Sequence, residues 1–570
     1  MIICGLKLTH DGAVALLDGD RLVFSIEIEK LDNNPRYSEV SDLGIIPQLL
    51  ADHGYSVTDV DEWVIDGWDG QEFGHTSTVN DGEAVELVLA PYRESQAVPD
   101  LLRPGHRGHF PLGAADLEYT SYVHAAGHLA SAYCTSPYAA AGQASFVLVW
   151  DGGMFPRLYF VDPQRGVENS GPLFPLVGHS YATAAHHFGP FRRAVEAKTV
   201  DDLSVAGKLM AYIALGQVRA EIVDVFTSVF AEAFEGPSPE AVAYRERIGG
   251  WGSNAEPSLE YVHAFFRQVE EQLAGAFADE DVLASFHQFL EELLVERVAA
   301  RILQWKGEGT WNLCFVGGCA LNIKWNSALR AHPLLKSVWV PPFPNDSGSA
   351  IGAAAARFMD REGIGAIAWH PRLGPTVRPS EPLPGWTGSP CSAEELARVL
   401  HESNAPVVVL NGRAELGPRA LGGRSILAAA VDGKMKDLLN EVKGREDYRP
   451  VAPICLVDEA PKIFSPGTPD PHMLFDHEVR AEWRERMPAV LHLDGTARLQ
   501  TVSREDDPVL ESILREYHRV SGVPVLCNTS ANLNGRGFFP DVASVMRWGR
   551  VDRVWSEGVI YVRVDDGGAS

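Results

Sequence analysis

The chain has 570 residues, more than one hydrophobic core usually supports, so two or three domains are expected. Its 49 lysine and arginine residues against 76 aspartate and glutamate residues give a formal net charge of −27, which argues against nucleic acid and anionic membranes as partners. The seven cysteines are scattered without a C-x-x-C pair, as in proteins of a reducing compartment. With no membrane-length apolar run and no signal-peptide core, the composition predicts a soluble cytoplasmic protein.

The first 30 residues alternate short hydrophobic segments with tight polar turns. Val, Ile and Phe in runs of five to eight residues predict a β-meander with strands at 1–8, 13–17 and 22–28. A similar unit recurs with strands at 145–150 and 157–161. The acidic turns between such strands favour an α/β domain that holds a nucleotide between lobes.

A helix and a strand are predicted further along the N-terminal half. The apolar positions between about 286 and 303 recur at helical spacing, and 311–316 reads as a strand. The next residues, Gly317 and Gly318, lead into a segment that contains Asn322. Glycine at such a strand-to-helix turn allows a phosphate or ribose to approach, and a helix N-terminus favours anions, although the pattern alone is weak.

A proline-rich stretch marks the predicted domain boundary at 366–390. Ser392 and Glu395 form a capping-box pattern that predicts a helix over about 393–403. Four strands are predicted after it, at 407–410, 453–457, 490–493 and 523–527.

Two histidines and two aspartates could form a metal site. His124 and His128 are four residues apart and would share one face of a helix, a spacing that can chelate one ion. Asp151 follows a hydrophobic strand and Asp346 precedes a run of small residues, positions from which a carboxylate can reach a cleft. The alternatives remain open: a chance pair among 19 histidines, and aspartates that only form turns. Two His and two Asp would suit Fe(II), Mn or Zn.

The most informative stretch is 412–426, which holds three arginines and four glycines. Glycine lets the backbone approach an anion, and guanidinium groups bind phosphate or carboxylate in a bidentate manner. The segment 443–450 adds three more cations. A solvated basic loop is the alternative, but the combination predicts a phosphate site.

Two later segments follow predicted strands and add polar groups. The segment 494–498 supplies Arg498, and 527–532 supplies Asn528 and Ser530, for which a plain turn is an equal alternative. Together the cations exceed what one phosphate requires and suit a polyphosphate with a second anionic substrate. No P-loop is present, because neither Gly207-Lys208 nor Gly433-Lys434 is followed by Ser or Thr.

Three motifs resemble a known family. The run E-x-G-P-R-A-L-G-x-R-S at 415–425, the run R-P-V-A-P at 449–453 and N-T-S at 528–530 resemble the O-carbamoyltransferases of antibiotic biosynthesis, such as the tobramycin, cephem, novobiocin and ansamycin enzymes. The likeness extends over nearly the whole chain. It implies carbamoyl transfer from carbamoyl phosphate, with ATP, to a hydroxyl of a small-molecule acceptor.

The resemblance implies an α/β protein of two catalytic domains joined by a connector at 366–390. The C-terminal domain, 391–570, would be YrdC-like and would convert carbamoyl phosphate and Mg²⁺-ATP to carbamoyladenylate and pyrophosphate. Its functional positions would be Arg419, Arg424, Lys443, Arg449, Arg498, Asn528 and Ser530.

The N-terminal domain, 1–365, would be of the actin/Hsp70 (ASKHA) type and would pass the carbamoyl group to the acceptor. The family's metal ligands correspond to His124, His128, Asp151 and Asp346, with Fe(II) the expected ion and Zn or Mn as alternatives. Its nucleotide-facing positions would be Gly317, Gly318, Asn322 and Lys208.

Two further residues are assigned from the same resemblance. We expect His10 to be the general base for the acceptor hydroxyl, since an imidazole with a pKa near 7 suits that task, whereas a hydrogen-bonded turn histidine is the alternative. Arg36 corresponds to a cation near the acceptor site in relatives. Relatives often carry Glu or a third His between the two histidines, where this chain has Ala125-Ala126-Gly127.

Competing functions remain. A tRNA threonylcarbamoyl transferase would use similar domains, although the acidic charge opposes it. A hydrogenase-maturation carbamoyltransferase would need zinc-finger C-x-x-C pairs, and an inactive nucleotide-binding scaffold is a third alternative. Segments 92–117 and 217–280 match the family poorly, and we expect acceptor specificity there. The acceptor, the metal and the oligomeric state, with a homodimer as one option, stay open.

Overall fold

The computed structural model describes residues 1–68, 70, 73–95, 98–192, 203–247 and 255–564. Contacts divide the chain into two compact units. The first contains Met1–Val23 and Val40–Trp369; the second contains Phe24–Glu39 and the chain from His370 onward. Each is mixed α/β. No helix in these described ranges combines the length and apolar content that crossing a membrane requires.

The N-terminal part of the first unit is built on a six-stranded sheet. Its elements in chain order are β1 (Ile2–Lys7), β2 (Ala13–Asp18), β3 (Arg21–Glu27), α1 (Ile45–Ala51), β4 (Glu62–Asp66), β5 (Gly74–Asn80), β6 (Glu83–Leu89), β7 (His106–Leu112) and β8 (Ala115–Tyr122). The strand order is β3-β2-β1-β4-β8-β7, and β5 and β6 form a separate hairpin. Strand β1 pairs antiparallel with β2 and parallel with β4, and β4 pairs parallel with β8.

A second sheet follows in the same unit. The elements are α2 (His124–Cys134), α3 (Pro137–Ala140), β9 (Ser145–Val149), β10 (Arg157–Asp162), β11 (Gly166–Pro172), α4 (Ser180–His187), α5 (Val205–Tyr212), α6 (Ala220–Phe230), α7 (Pro239–Arg247), α8 (Ala255–Leu273), α9 (Asp279–Lys306), β12 (Trp311–Val316), α10 (Ile323–Ala331), β13 (Leu335–Trp339) and α11 (Ser349–Glu362). The strand order is β11-β10-β9-β12-β13.

The two sheets repeat one topology. In each, an antiparallel three-stranded meander is followed by two parallel strands that add beyond its first strand; the first sheet ends with β7, which pairs antiparallel with β8. Both predicted meanders are confirmed, because runs of buried Val, Ile and Leu separated by Gly and Asp turns fix where each strand starts and stops. The predicted helix at 286–303 is part of the longer α9, and β12 has the predicted bounds.

Helices α2 and α11 lie unusually close together. A Cβ atom at Gly352 of α11 would lie 1.9 Å from the carbonyl oxygen of Gly127 in α2. One at Gly5 of β1 would lie 2.1 Å from the carbonyl oxygen of Ala350. Every residue of α2 is buried, so neither helix can move outward without opening the core. Glycine at these positions therefore sets how closely β1, α2 and α11 meet.

The second unit contains an eight-stranded sheet. Its elements are β14 (Trp386–Pro390), α12 (Ala393–Ser403), β15 (Val407–Leu410), β16 (Arg424–Ala429), α13 (Lys434–Lys443), β17 (Ala452–Leu456), α14 (Ala460–Ile463), β18 (Phe464–Ser465), β19 (His477–Val479), α15 (Ala481–Arg484), β20 (Thr496–Ala497), β21 (Gln500–Val502), α16 (Pro508–Ser521), β22 (Val525–Ser530), α17 (Val542–Trp548), β23 (Arg553–Ser556) and β24 (Val559–Arg563). The order is β14-β24-β23-β15-β16-β22-β17-β21, and β18, β19 and β20 form a small separate sheet.

Helix α12 starts at the predicted capping box. The Ser392 hydroxyl accepts a hydrogen bond from the Glu395 backbone N–H, and the Glu395 carboxylate accepts one from the Ser392 N–H. Its apolar side packs beside α16 on one face of the sheet, in a cluster that includes Leu396, Leu400 and Ile513. Strand β15 has the predicted bounds, while β17 and β22 are displaced by one to three residues.

Two parts of the second unit differ from the sequence prediction. The segment 490–493, predicted as a strand, lies at the end of a short 3-10 helix (Pro488–Val490) and in the loop after it. Pro488 favours the first turn of a helix, which overrides the apolar run. The strands that follow are β20 and β21, and the sequence did not indicate β21 because Gln500 and Thr501 are polar but buried. The last five residues of the predicted connector form β14.

We predict that Gly352→Ala lowers the free energy of unfolding by about 1–3 kcal/mol, because its methyl group would overlap the Gly127 carbonyl. Alanine's higher helix propensity, about 1 kcal/mol, works in the opposite direction. Urea denaturation measures the change. The matched control is Gly207→Ala in α5, where the added Cβ meets open space, and this variant should be unchanged or slightly more stable. Equal stability of both variants would show that the two helices can separate freely.

Candidate active sites

Four buried side chains of the first unit converge on one point. His124 and His128 lie one turn apart in α2, Asp151 follows β9, and Asp346 begins the short 3-10 helix before α11. The Asp346 Oδ1 atom is 3.3 Å from His124 Nε2 and 3.4 Å from His128 Nε2. Asp151 carboxylate oxygens are 3.8 Å from each of the same two nitrogens. The sequence prediction that these four residues come together is confirmed.

The chemistry of this cluster fits a metal ion. One ligand atom from each of the four residues lies within 4.8 Å of the other three. The Nε2 atoms of His124 and His128 are buried and have no hydrogen-bond partner among the described residues. Two atoms that bind one ion at about 2.0–2.2 Å each can be up to about 4.4 Å apart, so the N–O distances above suit a shared ion. Nitrogen with carboxylate oxygen suits Fe, Mn or Zn.

Three neighbouring groups orient the cluster. The Asp66 Oδ2 atom lies 2.6 Å from His124 Nδ1, which directs the ring so that Nε2 faces the centre. Lys7 Nζ lies 3.1 Å from Asp66 Oδ2 and 2.9 Å from Asp346 Oδ2, and 4.1 Å from the centre of the Trp68 ring. The side chains of Lys7, Asp66 and Asp346 are buried, so their charges act on each other at low dielectric.

Asp151 is held from two sides. The Tyr92 hydroxyl donates to Asp151 Oδ2, and the Gly318 backbone N–H donates to Oδ1 at 2.7 Å. Gly317 adopts φ = 96°, and a Cβ there would lie 2.3 Å from the Trp150 carbonyl oxygen, so this turn requires glycine. In this structure the predicted Gly317-Gly318 turn therefore positions a cluster carboxylate.

The pKa values reflect a balanced set of charges. Burial raises the pKa of Asp346, but Lys7 and then His124 outweigh this and hold it well below its usual value. Burial also lowers the pKa of Lys7, yet Asp346 and Asp66 together raise it. Asp151 is ionised as well, because the two imidazoles outweigh burial and the nearby Asp346 in lowering its pKa. The site thus keeps its carboxylates charged in a buried setting.

His10 lies beside the cluster, in the turn after β1. Its Nδ1 atom is 2.9 Å from Asp11 Oδ2, and its Nε2 atom is 3.7 Å from Asp346 Oδ2. Burial lowers the pKa of His10, but the hydrogen bond to Asp11 and the charge of Asp346 raise it above the ordinary value overall. The ring contacts Trp68 edge-on. The geometry is that of an imidazole oriented by a carboxylate, with the other nitrogen directed at the cluster.

Two other predicted positions lie elsewhere in the first unit. Lys208, in α5, has its Nζ atom 5.9 Å from the centre of the Phe191 ring, and no described contact joins it to the cluster. Asn322 caps α10: its Oδ1 atom accepts hydrogen bonds from the backbone N–H groups of Lys324 and Trp325. Its Nδ2 atom is buried without a hydrogen-bond partner in the described part of the chain.

The sequence reasoning missed Lys7, Asp66, Trp68 and Tyr92. Lys7 and Asp66 are the last residues of β1 and β4, two strands that pair in parallel and whose preceding residues, 2–6 and 63–65, are apolar. A charged residue that ends a buried strand was the available signal, since parallel strands bring their carboxyl ends together at one edge. For Tyr92, which follows β6 in a loop, the local sequence contains no comparable signal.

The second unit gathers cations rather than a mixed set. Five partly enclosed side chains form what we term the cationic recess: Arg419, Lys443, Arg445, Arg449 and Arg498. Burial and then Arg498 hold the pKa of Arg419 well below its usual range, while burial and then Arg449 lower the pKa of Arg445 to about 9 and of Arg498 to about 10. An arginine stays protonated at neutral pH, so these shifts indicate unfavourable crowding of positive charge.

Two of these guanidinium groups have no hydrogen-bond acceptor in the described part of the chain. Arg419 and Arg498 make no hydrogen bond or ion pair with any described residue, and their Nε atoms are buried without a partner. Buried cations without an acceptor are costly unless a ligand supplies the acceptors. The recess therefore suits an anion with several oxygen atoms.

Lys443 is held in place by the segment after β22. Its Nζ donates to the carbonyl oxygens of Ser530 and Asn532, both at 2.7 Å, and to Asn532 Oδ1. Burial, followed by the charges of Arg445 and Arg36, keeps its pKa well below the usual lysine value. The Ser530 hydroxyl donates to Asn532 Oδ1 at 2.7 Å, so predicted Ser530 and Lys443 meet around one asparagine.

Two predicted ligand-binding residues have partners within the protein. Arg424 is buried and donates to four backbone carbonyls, those of residues 375, 411, 412 and 423. Asn528 donates to the Ala420 carbonyl at 3.1 Å and to Gln500 Oε1 at 2.7 Å, which leaves its buried Oδ1 without a described partner. Arg424 thus shapes the loop, and Asn528 keeps one acceptor atom.

A buried carboxylate organises the loop that carries Arg419. Glu415 Oε1 accepts hydrogen bonds from the backbone N–H groups of Leu421 at 2.8 Å, Arg424 at 3.2 Å and Gly423. Arg36, predicted near the acceptor, is part of the segment Phe24–Glu39 and so belongs to this second unit.

Two family models match the parts of the chain that contain the cluster and the cationic recess. The model described as "Carbamoyltransferase N-terminus" matches residues 2–99 and 114–355, and "Carbamoyltransferase C-terminus" matches 397–555. The chain belongs to the carbamoyltransferase family. The matched ranges contain all four cluster residues and the whole cationic recess, and the resemblance drawn from the three motifs is confirmed.

Curated relatives agree over the full length. "Nodulation protein U" of Rhizobium tropici is 53% identical over 564 residues, which cover 99% of this chain and 96% of the relative. The protein of the same name from Bradyrhizobium diazoefficiens is 51% identical, covering 98% and 97%. The "3'-hydroxymethylcephem-O-carbamoyltransferase" of Streptomyces clavuligerus is 33% identical, covering 96% of each chain. The protein is a carbamoyltransferase of the family that acts in natural-product biosynthesis.

Solved structures resemble the chain only distantly. Full-length HypF in a phosphate- and nucleotide-bound form is 13% identical over 64% of this chain and 56% of its own, with a TM-score of 0.30. A hexokinase is 13% identical over 63% and 84%, with a TM-score of 0.24. Scores this low do not establish a common fold.

We predict that His128→Ala weakens metal binding at least about 100-fold, because one of four protein ligands is lost from a buried site. Protein reconstituted anaerobically with Fe(II), and separately with Zn(II) or Mn(II), is desalted and its metal content measured by mass spectrometry. The control is His109→Ala, whose ring is 61% exposed on β7. Full metal retention by His128→Ala would contradict the site.

We predict opposite effects of Arg498→Met on stability with and without anion. Without anion, loss of an unpaired buried cation should raise the free energy of unfolding by on the order of 1 kcal/mol. The thermal stabilisation that pyrophosphate gives the wild type should largely disappear, because the acceptor oxygens lose a donor. Differential scanning calorimetry measures both, with the exposed Arg515→Ala as control. A variant that retains the full pyrophosphate shift would exclude Arg498 from anion binding.

Proposed function

We propose that the protein is an ATP-dependent O-carbamoyltransferase that works in two steps. The C-terminal part, 391–570, forms carbamoyladenylate from carbamoyl phosphate and ATP. The N-terminal part, 1–365, transfers the carbamoyl group to an alcohol. The strand order that both sheets of the first unit share, β3-β2-β1-β4 in one and β11-β10-β9-β12 in the other, supports an ASKHA-type domain. The cationic recess supports a YrdC-like role for the second unit. The observation that carries the proposal is the pair of buried guanidinium groups, Arg419 and Arg498, without an acceptor in the described protein.

The donor step places high negative charge in the recess. Water releases inorganic phosphate from carbamoyl phosphate, and the resulting carbamate oxygen attacks the α-phosphorus of ATP. The bond from that phosphorus to the β-phosphate oxygen breaks, and pyrophosphate leaves. Arg419, Arg449 and Arg498 would neutralise the oxygens of the leaving pyrophosphate, and Mg²⁺ would accompany ATP. Lys443, already fixed by Asn532, would position one phosphate without reorganisation.

The transfer step needs a base and an enclosed setting. His10 Nε2 would accept the proton of the acceptor hydroxyl, while Asp11 holds Nδ1 and so stabilises the protonated ring. The carbonyl carbon of the carbamoyl group gains the alcohol oxygen, and AMP leaves. A divalent ion held by His124, His128, Asp151 and Asp346 would supply Lewis acidity, with Fe(II) the expected ion and Zn or Mn the alternatives. Buried Lys7 would keep Asp346 ionised for that role.

The acceptor is proposed only as a hydroxyl-bearing natural product. The name of the Streptomyces relative specifies a hydroxymethyl cephem as its substrate, and such a primary alcohol supports O-carbamoylation as the reaction type. A tRNA acceptor is disfavoured by the net charge of −27, because an acidic protein repels the phosphate backbone. An inactive scaffold would have no reason to keep unpaired buried cations, which lower stability.

We predict carbamoyl-phosphate-dependent exchange of labelled pyrophosphate into ATP. Arg419→Ala should lower the exchange rate at least about 100-fold, since it removes a charge-assisted contact to the leaving group. His10→Ala should leave exchange nearly unchanged but lower carbamoyl transfer about 100- to 10,000-fold, the usual range for a lost general base. Transfer is followed by mass spectrometry with a panel of tobramycin, an aminocoumarin and a 3'-hydroxymethyl cephem. Arg515→Ala is the matched control on the surface.

Two outcomes would contradict this function. Wild-type protein that binds ATP but shows no exchange in the presence of carbamoyl phosphate would remove the donor step. Equal losses of exchange and transfer in His10→Ala would remove His10 from the base role, because a residue of the first unit's cluster should not affect the donor step.

A further inference from the structure

A short N-terminal segment, Phe24–Glu39, belongs to the second unit. It is anchored there by buried charge. Lys30 Nζ donates to Glu27 Oε1 at 2.7 Å and to the carbonyl oxygens of Glu415 and Gly417, both at 2.6 Å. Glu27 Oε1 in turn accepts a hydrogen bond from the Gly417 N–H at 2.8 Å. The segment is therefore hydrogen-bonded to the turn that immediately precedes Arg419.

A second anchor connects this segment to the loop after β22. The Arg36 N–H donates to the Gly535 carbonyl oxygen at 2.9 Å, and the Gly537 N–H donates to the Asn34 carbonyl oxygen at 2.9 Å. The Arg536 guanidinium donates to the Asn33 carbonyl oxygen at 3.1 Å. Gly537 must be glycine here, since a Cβ would lie 1.8 Å from the Glu29 carbonyl oxygen.

This same loop holds Lys443 of the cationic recess. Asn532 binds Lys443 Nζ through its carbonyl oxygen and its side chain, and the Asn534 side chain donates to the Gly444 carbonyl oxygen at 3.1 Å. Residues 33–36 thus form an outer layer on the loop that fixes Lys443. The backbone of Arg36 is therefore hydrogen-bonded to the loop that forms part of the recess.

The backbone around Arg36 is held in an uncommon conformation. Asn33 and Tyr37 both have positive φ, 53° and 64°, which non-glycine residues adopt at a cost. Glu29 stabilises the second of these: its Oε2 atom accepts the Tyr37 N–H at 3.0 Å and lies 3.9 Å from Arg36 Nε. Such strain is maintained only where the surroundings fix it, and here it fixes the direction of Arg36.

The charge of Arg36 acts on the recess. Arg419, Lys443 and Arg449 each have a pKa lowered first by burial, and Arg36 is among the cations that lower it further. The hydrogen bond from the Arg36 N–H to Gly535, in the loop that fixes Lys443, independently places Arg36 beside the recess. Its side chain remains 35% exposed, so a ligand can reach it.

We propose that Arg36 is a sixth cation of the recess and binds a phosphate group of a substrate of the donor step. The inference rests on the proposed function for the identity of that substrate, which is ATP or carbamoyl phosphate. It assigns to the donor site a residue that the chain contributes from its N-terminal region, some 380 positions before Arg419. The donor site is therefore incomplete in the C-terminal sequence alone.

The test uses the full-length protein and measures pyrophosphate exchange at varied ATP and varied carbamoyl phosphate. Arg36→Ala should raise the KM for one of the two substrates about tenfold or more, and which KM rises identifies the phosphate that Arg36 contacts. Arg36→Lys should lose less, because it keeps the charge without the planar fork. The matched control is Arg378→Ala, which removes the ion pair of the same segment, Arg378 with Asp32, on an exposed side.

Unchanged KM values for both substrates in Arg36→Ala would overturn the proposal. A loss of the same size in Arg378→Ala would also overturn it, because the effect would then come from loosening the segment. If Arg36→Ala does not fold, Arg36→Gln replaces it, since glutamine keeps most of the length without the charge.

Failure of the proposed function can be told apart from failure of this inference. If wild-type protein shows no exchange, pyrophosphate binding is measured directly by isothermal titration calorimetry. Binding that is about tenfold weaker in Arg36→Ala than in wild type or Arg378→Ala would still support an anion-binding Arg36. Equal affinity in all three proteins would overturn it.

Discussion

The close approach of α2 to α11 is the constraint on which the first unit depends. Gly127 and Gly352 bring the two backbones together, and the same helices carry or adjoin His124, His128 and Asp346. A larger side chain at Gly352 would overlap the Gly127 backbone and separate the helices, whereas one at Gly127 would meet the Asp66 carboxylate that orients His124. Either change would displace ligand positions that a metal site would need correct to a few tenths of an ångström. The close packing of these two helices therefore also determines the positions of the candidate ligands.

The two units differ in how their buried charges are balanced. In the first, buried Lys7 lies between Asp66 and Asp346 and holds the pKa of Asp346 well below its usual value, so a negative carboxylate faces the two imidazole nitrogens. In the second, Arg419 and Arg498 have no carboxylate partner among the described residues, and the crowding of buried positive charge lowers stability. Because the protein as a whole is acidic, this local excess of positive charge must be kept in place by packing and hydrogen bonds.

Much of this could be read from the sequence, for identifiable reasons. Strand ends marked by Gly and Asp gave both meanders, and helical spacing with two post-strand aspartates gave the four-residue cluster. The missing parts depend on long-range contacts. Lys7 and Asp66 meet only because β1 and β4 pair in parallel, and Arg36 reaches the second unit only because 24–39 leaves the first. Arg424 carries the family motif, yet four carbonyls occupy its guanidinium, which no local pattern reveals.

Because Arg36 lies in the segment Phe24–Glu39, the N-terminal sequence contributes residues to the second unit as well as to the first. A segment that Lys30 and Glu27 tie to the turn before Arg419 can transmit strain or order to that turn. Lys30 is buried with three acceptors, so moving it into water would leave the buried Glu27 carboxylate without its positive charge. A rigid anchor of this kind is what a single guanidinium needs to contribute to binding, since a flexible arginine would lose conformational entropy on each encounter with phosphate. Asn33 and Tyr37, which have left-handed backbone conformations, contribute to the same rigidity. The cost of these conformations is met when the protein folds, so Arg36 is already held in position before a ligand binds.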